Sequence, residues 1–170
     1  MNLRLTFGAL LFFFGLTLMT GCGLSEFDEE IDTQFTVPKP KSGVFGLEPF
    51  TKTKRFTLGS DPGDAERVTI TRARIQVLAP LSSDLSILDR LEVYVEKDSE
   101  LTLLGEATGF APQERLRNLD IVFKDDIRSF VTEENKVVLV FVVFPSTFAP
   151  TFPEDGITLQ ADMTVRIELL

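Results

Sequence analysis

The chain has 170 residues, 17 basic against 26 acidic side chains, a formal net charge of -9, no histidine and one cysteine. That charge repels phosphate backbones, so nucleic acid is not an expected partner. Without histidine, and with Cys22 as the sole thiol, the sequence offers no imidazole general base, no second cysteine for a disulfide and no His/Cys zinc site.

Arg4 opens the chain with a short positive region, and Leu5 to Met19 follow as an almost unbroken apolar run centred on Phe12-Phe13-Phe14. A bilayer-spanning helix needs about 20 apolar residues. This run is shorter, ends in small residues and turns acidic at Glu26, which is the profile of a signal peptide over residues 1–21. Its end, Leu18-Met19-Thr20-Gly21-Cys22, resembles the lipobox of bacterial lipoproteins, with Met19 standing where leucine is usual. The resemblance implies cleavage before Cys22 and a diacylglyceryl lipid on its sulfur. Several acyl chains on one cysteine make a stable membrane anchor, at about 0.8 kcal/mol per buried CH₂. Gly23 follows where an aspartate would resemble inner-membrane retention, so the implied destination is the outer membrane of a Gram-negative cell. Two other readings stay open: Cys22 beside an ordinary signal-peptidase site, or the segment kept as a short anchor.

Residues 22–30 read as the lipidated cysteine and a flexible acidic tether, since 23–30 run GLSEFDEE. The folded domain is then expected over 31–170. Ile31, Thr33, Phe35 and Val37 alternate on one face of a first strand. Pro38 and Pro40 break it, Val44 to Phe50 reads as a loop or edge segment, and Thr53 to Leu58 as a short strand. Ser60-Asp-Pro-Gly-Asp64 predicts a turn. Glu66 to Leu78 is a long strand in which Val68 and Ile70 share one phase and Ala73, Ile75 and Val77 the other, so a β-bulge is predicted near Thr71-Arg72.

Ser82 to Leu88 predicts one helical turn. Leu91 to Glu96 and Leu101 to Ala107 form a hairpin about Lys97–Glu100, and Arg117 to Phe123 reads as another strand. Residues 124–130 predict a turn or short helix that docks Ile127 and Phe130. Lys136 to Phe144 (KVVLVFVVF) is apolar on both faces, as expected of a central strand covered on both sides or partly covered by the tether or another copy. Ile157 to Leu169 alternates without error. Seven or eight strands with one or two short helical turns predict an all-β fold, an antiparallel β-sandwich of immunoglobulin-like size, with a closed barrel as the alternative.

No Ser-x-x-Lys pair, nucleophile elbow, P-loop or dinucleotide fingerprint occurs. Asp120, Asp125 and Asp126 cluster in sequence, but strand alternation splits them. The expectation is therefore a non-enzymatic module with no cofactor and no metal. The stretch Phe144-Pro-Ser-Thr-Phe-Ala-Pro-Thr-Phe-Pro153 stands out, with Phe144, Phe148 and Phe152 as candidate contacts for an envelope protein partner. The competing reading has Phe148 and Phe152 folding back to cap the end of the sandwich. From Arg67 onward, Leu85-Ser-Ile-Leu-Asp-Arg-Leu-Glu-Val-Tyr-Val95 and Leu159-Gln-Ala-Asp-Met-Thr-Val-Arg-Ile167 loosely resemble small envelope lipoproteins of Gram-negative, including δ-proteobacterial, type. That resemblance implies an anchored β-domain and supplies no activity. Two further functions stay open: a carrier or sensor of an apolar ligand, and a carboxylate-based hydrolase.

Overall fold

The computed structural model describes residues 25–43, 46–59, 65–132, 134–147 and 152–169. The predicted signal peptide, Cys22, the turn at 60–64 and Phe148 lie outside these residues. Among the described residues eleven strands form: β1 (Ser25–Val37), β2 (Ser42–Gly43), β3 (Gly46–Leu47), β4 (Phe50–Thr57), β5 (Ala65–Ala79), β6 (Leu88–Lys97), β7 (Glu100–Thr108), β8 (Leu116–Asn118), β9 (Asp120–Ile121), β10 (Lys136–Pro145) and β11 (Ile157–Leu169). One antiparallel sheet has the order β1-β11-β5-β8, the other β4-β10-β6-β7-β9, while β2 and β3 pair only with each other. The two sheets make the expected β-sandwich, and they stay separate sheets rather than one closed barrel.

The tether expectation needs correction. β1 starts at Ser25 and pairs with β11 without a break, from Ser25↔Leu169 to Val37↔Ile157. Residues 25–30 belong to the sandwich, and three of their acids have partners. Arg166 donates to Asp28 at 2.9 Å, Arg72 to Glu30 at 2.8 Å, and the Gly59 amide to Glu29 at 2.7 Å. Phe27 packs against the core on the same face of the strand as Ile31 and Phe35.

β5 carries the predicted bulge. Thr164 faces Arg72 and Val165 faces Ile70, which leaves Thr71 as the extra residue. That extra residue lets Val68 and Ile70 point inward together with Ala73, Ile75 and Val77, all buried. The predicted strand 117–123 is instead divided: β8 pairs with β5 and β9 with β7. The chain changes sheets at Leu119, whose amide donates to the Ala73 carbonyl at 2.9 Å, and so closes one flank. The helical turns are 3₁₀ turns at Leu85–Ile87 and Arg128–Phe130. Ile127 is fully buried beside the second.

β10 is central in its sheet, between β4 and β6. Val137, Leu139, Phe141 and Val143 fill the core, where Phe35 of β1 meets Phe141 at a centroid distance of 5.0 Å. On its outer face Val140 is buried, whereas Val138, Val142 and Phe144 are half-buried. The strand registers define two ends. Ser25, Leu169, Thr57, Lys97 and Lys136 lie at one, together with the 3₁₀ turn of 128–130. Val37, Ala79, Leu88, Thr108, Pro145 and Ile157 lie at the other, from which the connections 38–49, 80–87, 109–115 and 146–156 project.

Candidate functional site

The connections at the Val37 end are held by a small number of polar side chains. Arg115 does most of this. Its Nη2 donates to the Val77 and Leu78 carbonyls at 2.8 and 3.3 Å, and its Nη1 to those of Ser83 at 2.8 Å, Pro80 at 3.5 Å and Leu81. The Arg115 carbonyl in turn accepts from the Val77 amide at 2.8 Å. A planar fork with five donors is the group that can serve carbonyls in several directions at once.

Asp84 joins the neighbouring connection. It caps the first 3₁₀ turn by accepting from the Ser86 amide at 2.9 Å, and it accepts from the Gln113 amide at 2.7 Å. The hydrogen bond from the Ser86 hydroxyl, helped by these amides against the opposing effect of burial, holds the Asp84 carboxyl below the usual carboxylate range. Glu114 is lowered likewise, first by the side-chain hydrogen bond from Arg117 and then by the Ala111 amide.

This frame displays an apolar side chain. Leu81 is 87% exposed, the most exposed of the large hydrophobic residues described. It sits between cis Pro80 and Ser82, on backbone whose carbonyls Arg115 grips. A shallow cleft of about 330 Å³ runs beside it, lined by Ser82, Asp84, Ser86, Ile87 and Pro153 among others. Sequence reasoning missed Leu81. Its signal was a lone leucine just after Pro80, beyond the end of β5. Arg115 gave no signal, since its partners are carbonyls of residues more than 30 positions away.

Of the aromatic stretch 144–153, the two described phenylalanines lie in different surroundings. Phe144 is the last residue but one of β10 and lies on the outer face of its sheet, where the Arg90 guanidinium lies 4.2 Å from its ring centroid. Arg90 pairs with Glu92 at 3.2 Å, and the Tyr94 hydroxyl donates to Glu92 at 2.8 Å. Burial, and then the Glu92 contact, pushes the Tyr94 hydroxyl up. Phe152 instead packs, half-buried, against the core, so for this residue the structure takes the capping arrangement. Phe148 lies outside the described residues. The segment is fastened at both ends: the Ser146 amide donates to the Ile87 carbonyl at 2.9 Å, and Lys39 pairs with Glu154 at 2.5 Å. Just before β11, Gly156 has φ +80°, and a Cβ there would lie 2.3 Å from the Val37 carbonyl oxygen, so the close crossing of β1 requires glycine.

One member of the acidic cluster has structural work. Asp126 accepts from the Val68 and Arg128 amides at 3.0 and 2.9 Å. Burial raises its pKa, but those amides and the Arg128 guanidinium together outweigh burial and leave it lowered. Asp120 stands in β9 opposite Glu106 of β7. Among the described residues no group of three or more His, Cys, Asp or Glu side chains is placed to hold a metal ion, and no helix is long and apolar enough to cross a membrane.

No family model matches the chain, and no curated protein matches it in sequence. Solved structures that are similar in fold include a decameric BFDV capsid protein, 14% identical with a TM-score of 0.44 over 87% of this chain and 100% of the other. Turnip yellow mosaic virus follows, 9% identical with a TM-score of 0.38 over 99% and 92%. Desmodium yellow mottle tymovirus gives 10% and 0.32 over 99% and 95%. At these scores and identities neither partner nor activity passes to this chain.

Proposed function

We propose that this protein is a lipid-anchored envelope module of a Gram-negative bacterium, held at the outer membrane through Cys22, whose sandwich binds a protein partner without catalysis. The observation that carries the binding half is Leu81: a large apolar side chain, 87% exposed, on backbone immobilised by Arg115. A preformed apolar contact loses little entropy on association, and that is the economy of a binding surface. Phe144, flanked by Arg90 on the sheet's outer face, is the second contact in this reading. The anchoring half rests on the lipobox ending at Cys22.

The test compares crosslinked partners recovered from membranes with the native chain and with Leu81→Ser and Phe144→Ser chains. Loss of a specific partner from the Leu81→Ser chain, with unchanged unfolding, is the expected result. An unchanged partner set from both variants refutes the assignment. A Cys22→Ser chain is expected in the soluble fraction, and its retention on membranes refutes the anchor.

A further inference from the structure

Given the anchor at Cys22, on which this inference rests, we infer that the sandwich stands end-on, its Ser25 end against the lipid surface and the Leu81 end directed away. The decisive observation is where β1 begins. Ser25 is already in register with Leu169, so only residues 23 and 24 separate the lipidated cysteine from the first paired residue. Three Cα–Cα steps span at most about 11 Å. β11 has 13 residues, which at about 3.3 Å each makes the sandwich about 40 Å tall. The link is thus far shorter than the domain, and the Leu81 end lies beyond its reach.

Two ion pairs at the Ser25 end are made within the protein, Arg128 with Asp126 at 2.5 Å and Lys136 with Glu134. Leu101, the second residue of β7, adds a half-exposed apolar side chain there. The flank of the first sheet is less suited to lying flat. Its outer side carries the pairs Arg72–Glu30, Arg74–Asp162 and Arg166–Asp28, six charged groups that the bilayer would desolvate.

The test uses the full lipidated chain in phosphatidylcholine vesicles that contain a headgroup spin-labelled lipid. Cys22 is the only cysteine, so one introduced thiol carries the fluorophore. Ser129→Cys reports the Ser25 end, Ser82→Cys the far end, and Thr53→Cys the outer face of β4; all three positions are exposed. Quenching at 129 at least threefold above that at 82 and 53 is expected. Ten Gly/Ser residues inserted after Leu24 should erase the difference, since a flexible link of that length has an r.m.s. reach of about 17 Å and an extended reach near the height of the domain. Equal quenching at all three sites, or strongest quenching at 53 or 82, overturns the orientation while the anchor stands. Membrane retention of the Cys22→Ser chain removes the anchor, and the orientation falls with it.

Discussion

Replacing Arg115 by Met keeps an unbranched apolar stem but removes the guanidinium and its five contacts. Three are strong by distance or direction, those to Val77, Ser83 and Leu81, and two are long, those to Pro80 and Leu78. A charged hydrogen bond contributes about 1.5–3 kcal/mol net. The carbonyls are near the rim and water can reclaim some of them, and freeing the side chain returns up to about 2 kcal/mol of rotamer entropy. The expected loss is therefore about 3 kcal/mol, a large part of the stability of a domain this size. Urea unfolding should show a lower midpoint at unchanged slope, with faster proteolysis within 80–87 under native conditions. Arg115→Lys should recover no more than about a third, because a single ammonium cannot reach both Val77 and Ser83. A loss under 1 kcal/mol for the Met variant, or full recovery by Lys, would refute the idea that this guanidinium organises the end that displays Leu81.

Gly156→Ala should cost more than about 3 kcal/mol by the same assay, since the residue has positive φ and the added Cβ meets backbone rather than a movable side chain; a neutral outcome would mean that the β1–β11 crossing is looser than described. Phe141→Ala, at a fully buried position in tilted ring contact with Phe35, should cost about 3–5 kcal/mol, measured by the unfolding midpoint. Stability should be flat from about pH 5.5 to 8, because no histidine titrates. It should fall as the pH drops below about 4: Asp84, Glu114, Asp126 and Asp162 have lowered pKa values in the folded state, so their contribution is present above the unfolded carboxylate range and is lost as they protonate in the native state. For Asp162, burial opposes the shift, and the Gln160 and Arg74 hydrogen bonds outweigh it. An Asp126→Asn chain should show a shallower acid decline; an identical profile would exclude that carboxylate.

The architecture was readable wherever a strand buries one face. Ile157 to Leu169 alternates in the sequence and alternates in the sandwich, and even the phase change at Thr71 reads directly as a bulge. The misreadings have a common physical origin. Residues 25–30 look like a solvated linker because Asp28, Glu29 and Glu30 are seen without Arg166, Gly59 and Arg72, which stand 30 to 138 positions away. Arg117 to Phe123 keeps the period of a single strand, yet its hydrogen bonds are shared between two sheets. A side-chain pattern reports which face is buried and is silent on which neighbour receives the amides.

The same limit explains why the candidate site was only partly visible. The three phenylalanines of 144–153 share a composition, and composition drew attention to them as a group. Their fates are decided by register: Phe144 falls one residue out of phase with the inward face of β10 and meets Arg90, whereas Phe152 returns to the core. Leu81 is the reverse case, unremarkable in sequence and prominent in space, because its exposure comes from Arg115 holding the backbone around it. A site made by one long-range side chain gripping a loop leaves no local motif. The start of β1 at Ser25 belongs to the same class of fact, since only its pairing with Leu169 removes the slack from the link to Cys22. Under the anchor proposed above, that lost slack sets the distance between lipid and domain, and with it which end meets a partner at the membrane and which meets one away from it.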